Sequence, residues 1–132
     1  MQLPKTNSEL SFNTWTQFVI KVKNWNFSCT ENYLELFETD VIKNKTPRNF
    51  LKSELQKIGV NSIIYYPIPI HAQLAYKEKV NDKDFLLNTE QLCTEVLSLP
   101  MFPEITFEEQ LYISENLNLI LNKYDQIAQI SA

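Results

Sequence analysis

The clearest periodic pattern of hydrophobic residues lies towards the carboxyl end of the sequence. Thr106 and Glu109 stand at the spacing of a capping box, in which each side chain satisfies the backbone N–H of the other residue. Apolar residues then recur at helical spacing, at Ile113, Leu117, Ile120, Leu121 and Tyr124. This pattern predicts a long amphipathic helix whose apolar stripe faces a core.

A second helix is predicted over residues 47–58. Thr46 can cap its first N–H groups, and a proline at the first helical position loses no hydrogen bond. The apolar stripe of this helix comprises Leu51, Leu55 and Ile58. Gly59, the only glycine in the chain, can adopt the positive φ that ends a helix.

Asn88 and Gln91 repeat the capping-box spacing and predict the start of a third helix. Its apolar residues would be Leu92, Val96 and Leu97. The helix should end before Pro100, because the residue that precedes a proline avoids the α region. The segment LSLP can then leave as a short strand.

Two segments have the composition of β-strands. Residues 14–22, TWTQFVIKV, are rich in β-branched and aromatic residues and partly alternate apolar with polar side chains. Residues 60–66 are similar, and Pro67 and Pro69 after them cannot continue a hydrogen-bonded ladder. Residues 24–46 show no clean period, and we interpret them as an irregular connection that contains a short helix.

Strands that are separated by helices predict a single α+β domain over residues 1–132. We expect a small two-layer domain, in which a three-stranded, mainly antiparallel sheet carries helices on one face. The three strands would be residues 14–22, residues 61–66 and a short piece over residues 97–99.

Charge and composition narrow the range of partners and compartments. The net charge is -4 and Arg48 is the only arginine, so we expect no nucleic-acid partner. No stretch approaches the roughly 18 apolar residues that cross a bilayer, and the amino terminus does not resemble a signal peptide. We therefore expect no membrane partner and a cytoplasmic protein. Lys, Asn, Ile and Phe are plentiful, whereas Gly and Arg occur once each, which is typical of an AT-rich genome. If that genome is an organelle's, we expect the plastid stroma instead. Cys29 and Cys93 do not form a zinc spacing with the single histidine, so no metal site is predicted.

The most specific signal in the sequence is a pair of motifs in a fixed order. The first is YYPIPIH, residues 65–71, which is followed by Gln73, and the second is LSLPMFPEIT, residues 97–106. With the glycine-terminated helix before them, the strand TWTQFVIKV and the closing amphipathic helix, they resemble the carboxy-terminal small domain of the DegT/DnrJ/StrS sugar aminotransferases. The resemblance covers most of the chain and is weakest over residues 24–46.

The resemblance implies pyridoxal phosphate (PLP) chemistry in full-length members of that family. Their large domain carries the Schiff-base lysine, the acidic partner of the ring nitrogen and the phosphate-binding residues. None of the lysines in this chain stands in a matching context. Because PLP chemistry needs that lysine, we expect no cofactor in this chain, no catalytic residue, and no amino transfer by the chain alone.

Three residues are candidates for substrate binding: His71, Tyr65 and Tyr66. Histidine is the residue type whose ordinary pKa lies near neutrality, and the resemblance implies that His71 lies near the cleft between the large and small domains. The alternative is a turn histidine that forms a local hydrogen bond. The two tyrosines could line the same cleft, or one ring could pack inward while the other contacts water.

Other polar residues have structural explanations. Glu104, Glu108 and Glu109 lie at the start of the closing helix, where acidic residues complement the helix dipole, so we do not expect a carboxylate site there. Cys93 stands at helical spacing beside apolar residues. We interpret it as a small core residue and not as a nucleophile.

Three functions are compatible with this sequence. The chain could be an aminotransferase small domain that works with a separately encoded large domain, an inactive fragment or relic, or a non-catalytic interaction module that uses the former domain interface. A large-domain partner or a second copy of the chain is therefore expected. Apolar residues of two turns should contact it, namely Tyr66, Ile68, Ile70, Leu99, Met101 and Phe102.

Overall fold

The computed structural model describes residues 1, 3, 16–23, 46–79 and 86–130. Its strands and α-helices follow one another as β1 (Phe18–Lys21), α1 (Pro47–Lys57), α2 (Leu87–Glu95), β2 (Val96–Leu99) and α3 (Phe107–Ile130). Two 3₁₀ helices, Ile70–Ala72 and Leu74–Lys79, lie between α1 and α2. The α+β class is confirmed, whereas the single-domain assignment and the placement of all helices on one face stay predictions.

The sheet of the described residues has two antiparallel strands. Phe18 lies opposite Leu99 and Lys21 lies opposite Val96. A third strand over residues 61–66 is not confirmed. In its place, Ile63 alone forms an antiparallel bridge to Ser98, through N···O distances of 3.0 and 2.8 Å.

Two prolines explain why residues 61–66 pair with β2 at one position only. Pro67 and Pro69 have no N–H to donate, so the chain turns away from the sheet soon after Ile63. Strand β1 is also shorter than the predicted range of residues 14–22, of which residues 14 and 15 lie outside the described part. The interpretation of residues 24–46 as an irregular connection likewise falls outside it, except for Thr46.

Helix α1 begins and ends through the local signals that the sequence contains. The side chain of Thr46 accepts a hydrogen bond from the backbone N–H of Asn49 at 3.2 Å, and Pro47 occupies the first turn. The helix ends at Lys57, one residue earlier than predicted. Gly59 has a φ of 81°, and a Cβ atom placed on it would meet nothing within 4 Å, so its backbone conformation is what requires glycine.

Helix α2 does not begin as predicted. It starts at Leu87, and Leu86 occupies the N-cap position without a side-chain hydrogen bond. The capping box of Asn88 and Gln91 is therefore wrong, because Asn88 lies inside the first turn and Gln91 donates to Glu95 Oε1 at 3.0 Å. Val96 adopts an extended conformation that ends the helix, so Val96 and Leu97 belong to β2 and not to α2.

The core joins the sheet to helices α1 and α3. Its buried residues are Ile20, Val22, Leu51, Leu55, Val60, Leu97, Leu117 and Ile120. Ile58, Ile113 and Leu121 pack against this cluster while partly exposed. The predicted stripe of α3 is thereby confirmed, except at Tyr124, whose side chain lies outside the described part.

The capping box of α3 is also confirmed. The backbone N–H of Thr106 donates to Glu109 Oε2 at 2.8 Å, and the backbone N–H of Glu109 donates to Thr106 Oγ1 at 3.2 Å. The Thr106 hydroxyl donates to the same carboxylate at 2.9 Å. These bonds from the backbone N–H and the hydroxyl hold the pKa of Glu109 below its ordinary value of 4.5.

Substituting Thr106 with alanine should raise the pKa of Glu109 part of the way to its ordinary value, because the backbone N–H remains as a donor. Since the folded-state pKa is depressed, the box stabilises the fold above the ordinary pKa, and this contribution is lost as the pH falls through the folded value. Thr106→Ser should keep the wild-type titration. The check is an NMR titration of the Glu109 carboxyl carbon, and equal midpoints in wild type and Thr106→Ala would contradict the box.

Candidate functional site

His71 lies on a short, well-defined turn. Pro69 is buried and precedes the 3₁₀ helix Ile70–Ala72. The turn is closed by hydrogen bonds from the Ala72 N–H to the Pro69 carbonyl at 3.0 Å and from the Gln73 N–H to the Ile70 carbonyl at 3.1 Å. The fixed φ of proline and these two bonds hold the backbone that carries the imidazole.

The imidazole of His71 contacts a buried carboxylate. Its Nε2 atom lies 3.0 Å from Oε1 of Glu90, which belongs to the first turn of α2. The His71 side chain is 16% exposed and that of Glu90 is 4% exposed. Because a carboxylate is costly to bury without donors, this contact helps to satisfy Glu90 and fixes the ring of His71.

Tyr65 and Tyr66 lie at the surface of the described part. Their ring centroids are 5.4 Å apart, and Tyr66 is 69% exposed while Tyr65 is 38% exposed. Neither tyrosine belongs to the buried core, and Tyr66 is the more exposed of the two. The structure brings the two rings together, but within the described residues no hydrogen bond connects either tyrosine to His71.

Helix α2 buries its acidic residues and exposes its leucines. Glu90, Cys93 and Glu95 are buried, whereas Leu87 and Leu92 are exposed. This is the reverse of an ordinary amphipathic helix. A carboxylate on the inner face must find cationic or donor partners, which makes this helix the polar part of the interior.

Charged groups from neighbouring elements contact the buried side of α2 and its carboxyl end. Nζ of Lys21, in β1, lies 3.0 Å from Oε2 of Glu95. Arg48 of α1 is buried, and its Nη1 donates to the carbonyls of Cys93 and Val96, each at 3.2 Å. Helix α2 is therefore tied to both β1 and α1 by charged side chains, and Glu90 is held with it.

Cys93 is buried, as the sequence analysis inferred for a small core residue. Burial raises the pKa of its thiol; the positive charge of Arg48 opposes this shift and the negative charge of Glu90 adds to it. A buried thiol with a raised pKa holds little thiolate, so the site offers no activated nucleophile at this position.

The acidic residues at the start of α3 are exposed. Glu109 caps the helix, and Glu104 and Glu108 are exposed to solvent. In the part of the chain that the structure describes, no group of three or more histidine, cysteine, aspartate or glutamate residues could hold a metal ion. The role of these glutamates at a helix amino terminus agrees with the sequence interpretation.

The apolar residues expected to contact a partner divide into two sets. Tyr66, Ile68, Ile70 and Phe102 are exposed. Leu99 and Met101 are half-buried and line an apolar groove of about 710 Å³ together with Phe18, Ile105, Ile113 and Leu117. Only the first set is thus available as protruding surface, while the second forms the wall of a concavity.

Glu90 is the site residue that sequence reasoning missed. It stands three residues before Cys93, so it shares the helix face that was assigned to the core. A carboxylate on such a face needs a donor or a cation, because it is costly to bury alone. That requirement was the available signal, although it does not say which residue meets it.

Comparison with known proteins decides the family. A model of the DegT/DnrJ/EryC1/StrS aminotransferase family matches residues 10–118. The chain belongs to this family. The fold agrees: a solved structure of a DegT DnrJ EryC1 StrS aminotransferase from Brucella abortus aligns with a TM-score of 0.61 at 24% identity, over 93% of this chain and 26% of that one.

Curated relatives match over shorter stretches. The chain is 36% identical over 70 residues to a pleiotropic regulatory protein of Geobacillus stearothermophilus, which is 53% of this chain and 19% of that protein. It is 28% identical over 79 residues to a dTDP-3-amino-3,4,6-trideoxy-alpha-D-glucose transaminase of Streptomyces venezuelae, which is 60% of this chain and 21% of that protein. It is 42% identical over 64 residues to a UDP-N-acetyl-3-dehydro-alpha-D-glucosamine 3-aminotransferase of Acidithiobacillus ferrooxidans, which is 48% of this chain and 16% of that protein. Each match therefore covers about a fifth of the relative's length.

The DegT/DnrJ/EryC1/StrS family uses PLP, and three lysines and the arginine of the described residues are already engaged by other groups. PLP needs a lysine amine and donors for its phosphate. Lys57 and Lys123 both pair with Glu54. The only arginine, Arg48, donates to backbone carbonyls, and Lys21 is engaged by Glu95.

None of the helices in the described ranges combines the length and the apolar character that a membrane span needs.

Proposed function

We propose that this chain acts as the carboxy-terminal small domain of a PLP-dependent sugar-nucleotide aminotransferase. In this proposal it contributes His71 to a cleft that it forms with a PLP-binding domain, and it does not transfer amino groups alone. The observation that carries the proposal is the imidazole of His71, which is fixed at 3.0 Å by the buried Glu90 on the turn that resembles the family's histidine turn. Two of the relatives are named for amino transfer to or from nucleotide sugars, which supports the substrate class.

The substrate-binding residues in this proposal are His71, Tyr65 and Tyr66. His71 is partly accessible and its ring is held in place, as a substrate contact requires. The exposed rings of Tyr65 and Tyr66 provide apolar faces and hydroxyls at the surface that leads into the same turn. Their contribution is to the shape and polarity of the cleft wall.

The PLP-binding domain would be supplied by a separate polypeptide or by sequence that adjoins this chain. The exposed Tyr66, Ile68, Ile70 and Phe102 support such a contact, because large apolar side chains that are exposed are available to an interface. A second copy of the chain is the alternative occupant of that surface.

Complementation in trans tests this proposal. The Acidithiobacillus ferrooxidans relative would be truncated before the segment that matches this chain and produced together with the full 132-residue chain. We expect a complex that binds PLP and restores amino transfer for UDP-N-acetyl-3-dehydro-alpha-D-glucosamine. The relative's own missing segment, supplied in the same way, is the positive control.

The readouts are the visible absorbance of bound PLP and the rate of amino transfer. If the relative's own segment restores activity and this chain neither joins the complex nor restores activity, the proposed function is wrong for this nucleotide sugar and domain pairing. His71→Ala in this chain should lower kcat/KM in a complex that still forms, which separates a role in the cleft from a role in assembly.

A second candidate function is a non-catalytic interaction module. The exposed apolar side chains favour it, as does the match to a relative that is named a pleiotropic regulatory protein and not a transaminase. This candidate predicts that the chain joins the truncated relative, or a second copy of itself, without restoring amino transfer. The same complementation assay therefore separates the two functions.

A further inference from the structure

We infer that Glu90 is a positioning residue for His71, and that it selects Nδ1 as the ring nitrogen that faces a ligand. In this arrangement His71 accepts a hydrogen bond from an O–H or N–H donor of the substrate. The inference rests on the proposed function, in which His71 lies at a substrate cleft, but its structural part concerns only the two side chains.

Nε2 of His71 is the donor in the contact with Glu90. Nε2 of His71 and Oε1 of Glu90 are 3.0 Å apart, which is hydrogen-bond distance. An ionised carboxylate can only accept, so Nε2 carries the proton of this bond. In a neutral imidazole the other nitrogen, Nδ1, then has a free lone pair and is an acceptor.

Nδ1 of His71 is available to a ligand. Among the described residues, the bond to Glu90 is the only hydrogen bond of the imidazole, and the His71 side chain is 16% exposed. The ring is therefore held at one nitrogen and accessible elsewhere. Nδ1 cannot also reach Glu90, because the two nitrogens point away from each other across the ring.

The carboxylate of Glu90 is held in a fixed position. Glu90 is 3% exposed and belongs to α2, which Arg48 and the Lys21–Glu95 pair tie to its neighbours. A buried group on an anchored helix keeps its orientation, so it fixes the tautomer and the plane of the histidine ring that it contacts.

The ligand chemistry follows from the tautomer. A nitrogen acceptor pairs with an O–H or N–H donor and not with a phosphate oxygen, which is itself an acceptor. His71 is thereby assigned to an O–H or N–H donor of the sugar and not to the phosphates of the nucleotide. A substrate analogue that lacks this donor should lose binding, because the site would then leave a polar atom without its partner.

The test uses the full chain and its single histidine, which gives one set of imidazole signals. With ¹⁵N-labelled histidine, we expect the neutral ring to be protonated at Nε2 and to show an N–H proton that exchanges slowly with water. Glu90→Ala should lose this protected proton, whereas Glu90→Gln should retain it because the amide oxygen still accepts. Glu108→Ala, at an exposed glutamate, is the control and should match wild type.

If Glu90→Ala fails to fold, the spectrum of wild type alone tests whether Nε2 of His71 carries the protected proton. A neutral ring protonated at Nδ1, or an Nε2 proton in fast exchange with water in the folded chain, would overturn the inference. So would a protected Nε2 proton in a folded Glu90→Ala variant, because the protecting group would then be another residue.

The complementation assay tests the functional part separately. Glu90→Ala should lower kcat/KM by about 10–100-fold in a complex that still forms, and Glu90→Gln should stay near wild type. Unchanged activity in Glu90→Ala would reject the positioning role while leaving the proposed function intact. If wild type does not complement, the proposed function fails and the NMR result alone decides whether Glu90 positions His71.

Discussion

Substituting Leu117 with serine is expected to lower the free energy of unfolding by about 3–5 kcal/mol, because it leaves a cavity and buries an unsatisfied hydroxyl. Leu117 is 4% exposed in the core that joins the sheet to α3. The same substitution at Ile68 or Phe102 should cost no more than about 1 kcal/mol, since these side chains are 38% and 45% exposed. Urea unfolding followed by circular dichroism measures all three.

Leu119→Ser is the matched control, because Leu119 lies on the same helix and is exposed. It should also cost no more than about 1 kcal/mol. Light scattering on the same proteins tests whether Ile68 and Phe102 belong to an interface, in which case their serine variants should associate less than wild type. If wild type is already monomeric and both variants unfold as readily as Leu117→Ser, the two residues belong to the core and the interface interpretation is wrong.

Local signals in the sequence predicted the two amphipathic helices well. Thr46 and the Thr106–Glu109 box define helix starts through bonds that span three residues, so neighbouring positions in the sequence contain all the information. Gly59 ends α1 for an equally local reason, since its φ of 81° is one that glycine adopts readily.

The misjudged features depend on contacts between distant residues. The start of α2 is set without a side-chain cap, and its inner face is held by Arg48, which is 45 residues from Cys93. A capping-box spacing at Asn88 could not reveal this, because Gln91 donates to Glu95 instead and Arg48 lies on another helix. The third strand was overestimated for a similar reason: only Ile63 reaches β2 before the prolines redirect the chain.

The candidate site also combines a residue that a local motif identifies with one that only a long-range contact identifies. His71 could be identified from its motif, whereas Glu90 lies 19 residues further along and pairs with it only in the folded chain. A sequence period can place Glu90 on the inner face of α2, but it cannot say which cation or donor meets it. The functional unit is thus a pair, of which the sequence revealed one member.

The same long-range contacts give Arg48 a role in stability. Arg48→Met should lower the free energy of unfolding by about 3–5 kcal/mol, because the carbonyls of Cys93 and Val96 each lose a charged donor inside the protein. Methionine keeps much of the apolar volume, so the loss is one of hydrogen bonds and charge more than of packing. Lys57→Met, on the same helix but at an exposed ion pair with Glu54, should cost no more than about 1 kcal/mol.

Arg48→Lys separates charge from geometry. Lysine keeps the positive charge but lacks the planar fork of the guanidinium, so it should recover only part of the lost stability. Because Arg48 anchors the helix that carries Glu90, Arg48→Met should also speed the exchange of the His71 Nε2 proton with water, while Lys57→Met should leave it unchanged. A fully stable Arg48→Met variant with a wild-type imidazole signal would show that α2 keeps its position without this arginine, and the cause of the fixed Glu90 would then lie in the Lys21–Glu95 pair.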